Sequence, residues 1–174
     1  MTDIMLDLET MSSAPDAALL SIGAVTFGDG EEKAFYAVID PKTNQGRIDA
    51  STMQWWAAQS DQARAVFNDP EAVHVNVALL AFADFVKRFE DVRLWGNGSD
   101  FDNVVLRSAF DRAGMTAPWS HRQNRCYRTL RNLHPAHLFQ PYGVGHNALD
   151  DARAQARHAQ VILTAIDRMA EAAQ

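Results

Sequence analysis

A chain of 174 residues, 47% hydrophobic and 22% charged, has the balance of one ordinary globular domain spanning residues 1–174, large enough for a core without disulfides or structural metal. No apolar run approaches the ~18 residues of a membrane span, no basic-then-apolar leader opens the sequence, and the lone Cys126 excludes an internal disulfide, so a soluble cytoplasmic protein with no membrane partner is expected. The net charge of −6 argues against a general nucleic-acid binder.

The first strand is predicted over Asp3–Leu8, where an apolar run carries two acids one residue apart. Alternation along a strand puts Asp7 and Glu9 on one face and Leu6 and Leu8 on the other. Met11–Asp16 is a loop. Leu19–Phe27 is a second strand, closed by Gly28-Asp29-Gly30, and Lys33–Ile39 a third, stopped by Asp40-Pro41. Ser51–Gln59, holding Trp55-Trp56, is a short helix, with a further turn through Phe67. Asp69-Pro70-Glu71 reads as the start of a helix that runs to Phe89 on the apolar spacing 75, 79, 82, 83, 86, 89. Val92–Trp95 is a fourth strand, Phe101–Ala113 a helix ended by Gly114, and a short fifth strand is expected around Cys126-Tyr127. Asn147 is a good N-cap, with Asp150 in capping-box position, for a last helix over Ala148–Ala173. Three strands followed by alternating helix and strand give an α/β fold: a mixed sheet with an antiparallel part, covered by helices.

Like charges side by side on a strand repel and stabilise nothing, whereas a divalent cation between Asp7 and Glu9 would remove the penalty. The plainer alternative is that Asp7 ends the strand and Glu9 caps the next segment. A second acidic site, Asp102, lies in the turn Gly96-Asn97-Gly98-Ser99-Asp100-Phe101-Asp102, where Ser99 and Asp102 could otherwise pair as a capping box. In a third, His146 stands just outside the last helix and Asp151 one turn inside it, so the two converge on one point. Arg122, Arg125, Arg128 and Arg131 fall within ten residues free of acid, either a solvated face or a phosphate-binding strip.

Taken in order, the acid–x–acid strand, the Asn…Phe-Asp turn and the His–x–Ala–Leu–x–Asp-Ala helix start resemble the DEDDh 3′→5′ exonucleases of the ribonuclease H-like superfamily. Trp55-Trp56, Trp95-Gly96-Asn97-Gly98 and Tyr127-Arg128-Thr129-Leu130 are similar to its small phage and bacterial branch, which holds DexA-like and mycobacterial exoribonuclease-like enzymes. The resemblance covers about residues 3–165. It implies a ribonuclease H-like sheet of about five strands, the first three antiparallel, flanked by helices. It also implies hydrolysis of phosphodiester bonds from single-stranded 3′ ends of DNA or RNA, releasing nucleoside 5′-monophosphates with two Mg²⁺ or Mn²⁺ ions. Asp7, Glu9, Asp102 and Asp151 match the family's metal-binding acids and His146 its general base, a role that suits histidine because its ordinary titration spans neutrality. Thr10, Met11, Asn97, Phe101 and Arg128 fall on its substrate-binding ground, and the resemblance admits a homodimer. Asp100 is a departure, an added acid near the metals. Restriction to RNA 3′-end trimming and a catalytically idle nucleic-acid-binding subunit are the rival readings; the five filled positions fit the idle subunit poorly.

Overall fold

The computed structural model describes residues 1–173. Strands β1 (Thr2–Thr10), β2 (Leu19–Phe27) and β3 (Ala34–Val38) form an antiparallel meander. Strand β4 (Val92–Gly96) then lies parallel to the free side of β1, and β5 (Asn124–Cys126) parallel to β4, giving the order β3-β2-β1-β4-β5. The sheet is thus the mixed one expected, with its first three strands antiparallel.

Both faces of β1 are covered, so its period-2 alternation sorts side chains between two cores. Ile4, Leu6 and Leu8 pack against α3 (Val75–Val86) and α4 (Asp102–Arg112), where Leu79, Phe82, Leu106 and Phe110 fill the space. Met5 points the other way, with Val25, Trp95, Tyr127 and the alanines 152, 156 and 159 of α6 (Ala148–Ala172). A third cluster joins Met11 and Leu20 to Trp56 of α1 (Ala50–Ala57), Ala63 of α2 (Asp61–Arg64) and Val66. No helix among the described residues is long and apolar enough to cross a membrane.

The structure departs from expectation at several points, among them the end of α3 at Val86 rather than Phe89. The helix predicted from Pro70 starts at Val75: Asp69 Oδ1 accepts from Glu71 N at 2.8 Å, closing a turn, and Val73 is drawn out to pair with the end of β3. His74 then caps the helix, its Nδ1 accepting from Asn76 N. Tyr127, expected in the fifth strand, instead opens α5 (Tyr127–Leu133), a helix with no signal in the residue pattern; burial of the Tyr127 ring anchors it. The capping box at Asn147 is half made. Asn147 Oδ1 accepts from Leu149 N and Asp150 N, but the Asp150 carboxylate turns away to accept from Val144 N at 2.9 Å.

Two glycines set how closely the helices carrying acids approach the sheet. A Cβ on Gly23, which pairs with Asp7 across β1 and β2, would lie 2.2 Å from the Ala148 backbone at the start of α6. On Gly96, at the end of β4, it would lie 2.5 Å from Asn103 Oδ1 and 3.0 Å from Asp102 Cβ. Gly23→Ala is therefore expected to push α6 off β2, costing about 1–3 kcal/mol as overpacking does. Because Asp151 rides on that helix turn, activity should fall more than stability. Urea midpoints and rates measured on the same preparations check this, and an unchanged rate would refute it.

Candidate active site

The odd-numbered face of β1 carries three acids, Asp3, Asp7 and Glu9, treated differently by their surroundings. Asp3 is paired with Arg93, directly opposite on β4, and accepts from Trp95 Nε1 at 2.6 Å. Asp7 and Glu9 have no such cation. Further up the sheet, α4 begins at the end of β4 and brings in Asp102, buried, while the first turn of α6 brings in Asp151. Among the described residues no Lys or Arg forms a salt bridge with any of these four.

The electrostatic result is a set of carboxyls that resist ionisation together. Burial, followed by the charges of Asp102, Glu9 and Asp151, holds Asp7 well above the usual carboxylate range. Burial, then Asp151 and Asp102, pushes Glu9 up to about 8. Burial raises Asp102 to about 7, although backbone amides of Asn97 and Leu8 and the charge of Arg128 draw it down. Asp151 is raised as well, chiefly by burial, against a hydrogen bond of 2.8 Å that its Oδ2 accepts from His146 N.

His146, just outside the helix, is held through both its backbone and its ring. Its backbone is left-handed, at φ +62°, a conformation histidine adopts more readily than most residues. That turn aims its amide at Asp151. Its ring meets Trp55 edge to face at 4.8 Å between centroids and Trp56 at 6.2 Å. Trp56 is 1% exposed and donates Nε1–H to Thr10 O at 2.8 Å, whereas Trp55 remains 44% exposed. The tryptophan pair therefore divides into a core member and an exposed one, and both brace the histidine.

Asp7, Glu9, Asp151 and His146 line one cleft of about 330 Å³ with Asn97, Tyr127, Arg131, Phe139 and Gln155; Asp102 lies beside it. Of the expected substrate contacts, Asn97 is in this wall, with its Oδ1 buried and unpartnered. Arg128 is exposed on α5 beside Gly98. The structure does not bring Thr10 and Met11 there. Thr10 Oγ1 donates to Ser12 O, and Met11 is buried in the Trp56 cluster with its backbone N–H given to Ala18 O. Phe101 packs against the α3–α4 core as the residue preceding α4. Asp100 is exposed on the turn, outside the cleft, and Ser99 forms no capping box with Asp102. Gln155 and Phe139 were not among the residues expected in the site, and Arg131 was expected only as a member of the arginine strip. Gln155 had a signal, since it stands four residues after Asp151 among alanines and so shares its helix face.

The donor set fits divalent cations. Hard carboxylate oxygens are what Mg²⁺ and Mn²⁺ take, and a cation would offset the burial and mutual charge that raise these carboxyls. Glu9, His146 and Asp151 alone bring ligand atoms within 4.8 Å of one another. Oxygen atoms of Asn97 and Gln155 are buried in the same wall without partners among the described residues.

This sheet order, with four acids and a histidine gathered near the ends of its central strands, fits the nuclease class expected from the sequence. The chain belongs to the 3′-5′ exoribonuclease Rv2179c-like domain family, whose model matches residues 2–163. Two solved structures share its fold. The nuclease domain of 3′hExo, a DEDDh family member bound to rAMP, has a TM-score of 0.64 at 14% identity, over 94% of this chain and 92% of that one. Exonuclease X in complex with 5′ overhanging duplex DNA has a TM-score of 0.52 at 15% identity, with the same coverage. No curated protein matches the sequence. The protein is a 3′→5′ exonuclease.

Proposed function

We propose that this exonuclease removes nucleoside 5′-monophosphates one at a time from single-stranded 3′ ends of RNA, using two divalent cations held by Asp7, Glu9, Asp102 and Asp151. The observation that carries the reading is the set of four acids from three different elements, Asp7, Glu9 and Asp151 lining one cleft with His146 and Asp102 beside it. RNA is the substrate named in the family's description, which supports the choice of sugar.

When bound, the cations would supply electrophilic stabilisation of the phosphoryl group and acidify the attacking water. The remaining work falls to the chain. An imidazole nitrogen of His146 takes the proton of that water, with the ring held by Trp55 and Trp56 and the backbone by Asp151. Arg131, in the cleft wall with its guanidinium over the Tyr127 ring, and Arg128, three residues earlier on α5, offer positive charge to incoming phosphates. These two belong to the four-arginine segment, which lets an acidic protein accept a polyanion.

Matched 5′-labelled RNA and DNA oligonucleotides, each with a free or a phosphorylated 3′ end, test the proposal in Mg²⁺ or Mn²⁺. Single-nucleotide ladders from the free RNA 3′ end, fewer from DNA and almost none from the blocked ends are the expected result. Equal rates on both sugars would remove the RNA preference. Cutting of circular single strands would overturn the exonuclease polarity itself.

A further inference from the structure

Gln155 lies one turn beyond Asp151 on α6 and only 5% of it is exposed. Its Nε2 donates to Asp7 Oδ1 at 2.8 Å, while its Oε1, in the wall of the same cleft, has no partner among the described residues. Leaving an amide oxygen buried and unpaired is unfavourable, and an apolar side chain of that size would avoid it. The surrounding face of α6 is alanine at 148, 152, 156 and 159, so nothing in the packing calls for an amide here.

We propose that Gln155 is a positioning residue for the divalent-cation site: its Nε2–H fixes the orientation of the Asp7 carboxylate, and its Oε1 accepts from a water in the cation's shell. The proposal rests on the reading of the cleft as a cation site. An amide suits both tasks, because one end donates to a carboxylate and the other accepts from water. A glutamate would set a fifth negative group against Asp7, and an apolar residue would leave that carboxylate free to turn about its own side-chain axis. Groups that orient metal ligands in this way typically change metal affinity by ~10–100-fold when removed.

The test is titration calorimetry of Mn²⁺ and Mg²⁺ into full-length wild type, Gln155→Met and Gln155→Glu, with melting temperatures taken in EDTA and in Mn²⁺. Gln155→Met should bind either cation about 10–100-fold more weakly, keep its melting temperature in EDTA, and regain turnover when Mn²⁺ is raised to saturation. Wild-type affinity in this variant would overturn the proposal, as would a fall in its EDTA melting temperature with no change in the Mn²⁺ needed for half-maximal rate. If Gln155→Met does not fold, Gln155→Glu decides: Mn²⁺ should raise its melting temperature more than it raises that of wild type, and an equal rise refutes the role. Failure of the wild type itself to bind either cation would instead defeat the underlying reading of the cleft.

Discussion

Asp7→Asn is expected to lose at least about a thousand-fold in turnover while the metal-free protein melts at a higher temperature than wild type. Cation stabilisation of a phosphoryl transition state is worth several kcal/mol, and each ~1.4 kcal/mol is tenfold in rate. The gain in stability has a separate origin. Burial, together with the charges of nearby Asp102, Glu9 and Asp151, keeps the Asp7 carboxyl well above the ordinary range. Asparagine removes the charge yet keeps an oxygen to accept from Gln155 Nε2, the hydrogen bond that Asp7 Oδ1 makes now. A gain of ~1 kcal/mol corresponds to ~2–4 °C for a domain of this size. Mn²⁺ should reverse the order, because the wild type then gains a ligand that the variant binds poorly. Thermal melts in EDTA and Mn²⁺ beside single-turnover assays make the comparison. A variant that melts well below wild type in EDTA would mean that Asp7 serves the fold.

The same electrostatics set a pH dependence with a definite sign. Carboxyls raised in the folded state bind protons there at pH values where the unfolded chain has released them. Their contribution is complete below the ordinary carboxyl range, near 3.8 to 4.5, and is lost as pH rises through the folded values, about 7 for Asp102 and about 8 for Glu9. Metal-free protein should therefore lose stability between about pH 4 and 8, and saturating Mg²⁺ should flatten that slope, since cation binding releases the protons. Melting curves across this range, with EDTA or Mg²⁺, show whether the slope is present and removable.

Most of this architecture was legible because it is written in period and spacing. The alternation in Ile4–Glu9 sorted side chains between two cores as expected, and Asn147 capped α6 as its residue type suggests. What escaped depends on partners distant in sequence. Pro70 looked like a helix start until Val73 was claimed by the end of β3, thirty-odd residues away. The seven residues of α5 are too few to show a period, and their anchor is the burial of Tyr127 beneath α6. In the site, the acids and His146 were readable because their spacing is local to three short segments. For Gln155 only its helix face was readable, four residues after Asp151; its role lies in a bond to Asp7 across 148 residues. Thr10 and Met11, placed near substrate by the family resemblance alone, turn their side chains to Ser12 O and the Trp56 cluster, where the β1–β2 register shifts between Glu9 and Thr10.

His146 separates a hydrolytic centre from a mere cluster of acids, and its replacement should cost ~10²–10⁴-fold in kcat, the usual range for a general base. The choice of variant matters because the backbone at this position is left-handed. Alanine there carries a strain of roughly 1–2 kcal/mol that asparagine largely avoids, so His146→Asn removes the imidazole while keeping the turn. The amide that donates to Asp151 Oδ2 stays in place, and the cation site should keep its affinity within a few-fold. Loss of the ring also frees the edges of Trp55 and Trp56, contacts worth ~0.5–1.5 kcal/mol for an aromatic pair. Both variants should therefore fold, His146→Ala melting the lower of the two, and both should bind Mn²⁺ and oligonucleotide. His146→Asn cutting at the wild-type rate would show that the water's proton goes elsewhere, and would leave the tryptophan-braced ring with a purely structural part in the cleft.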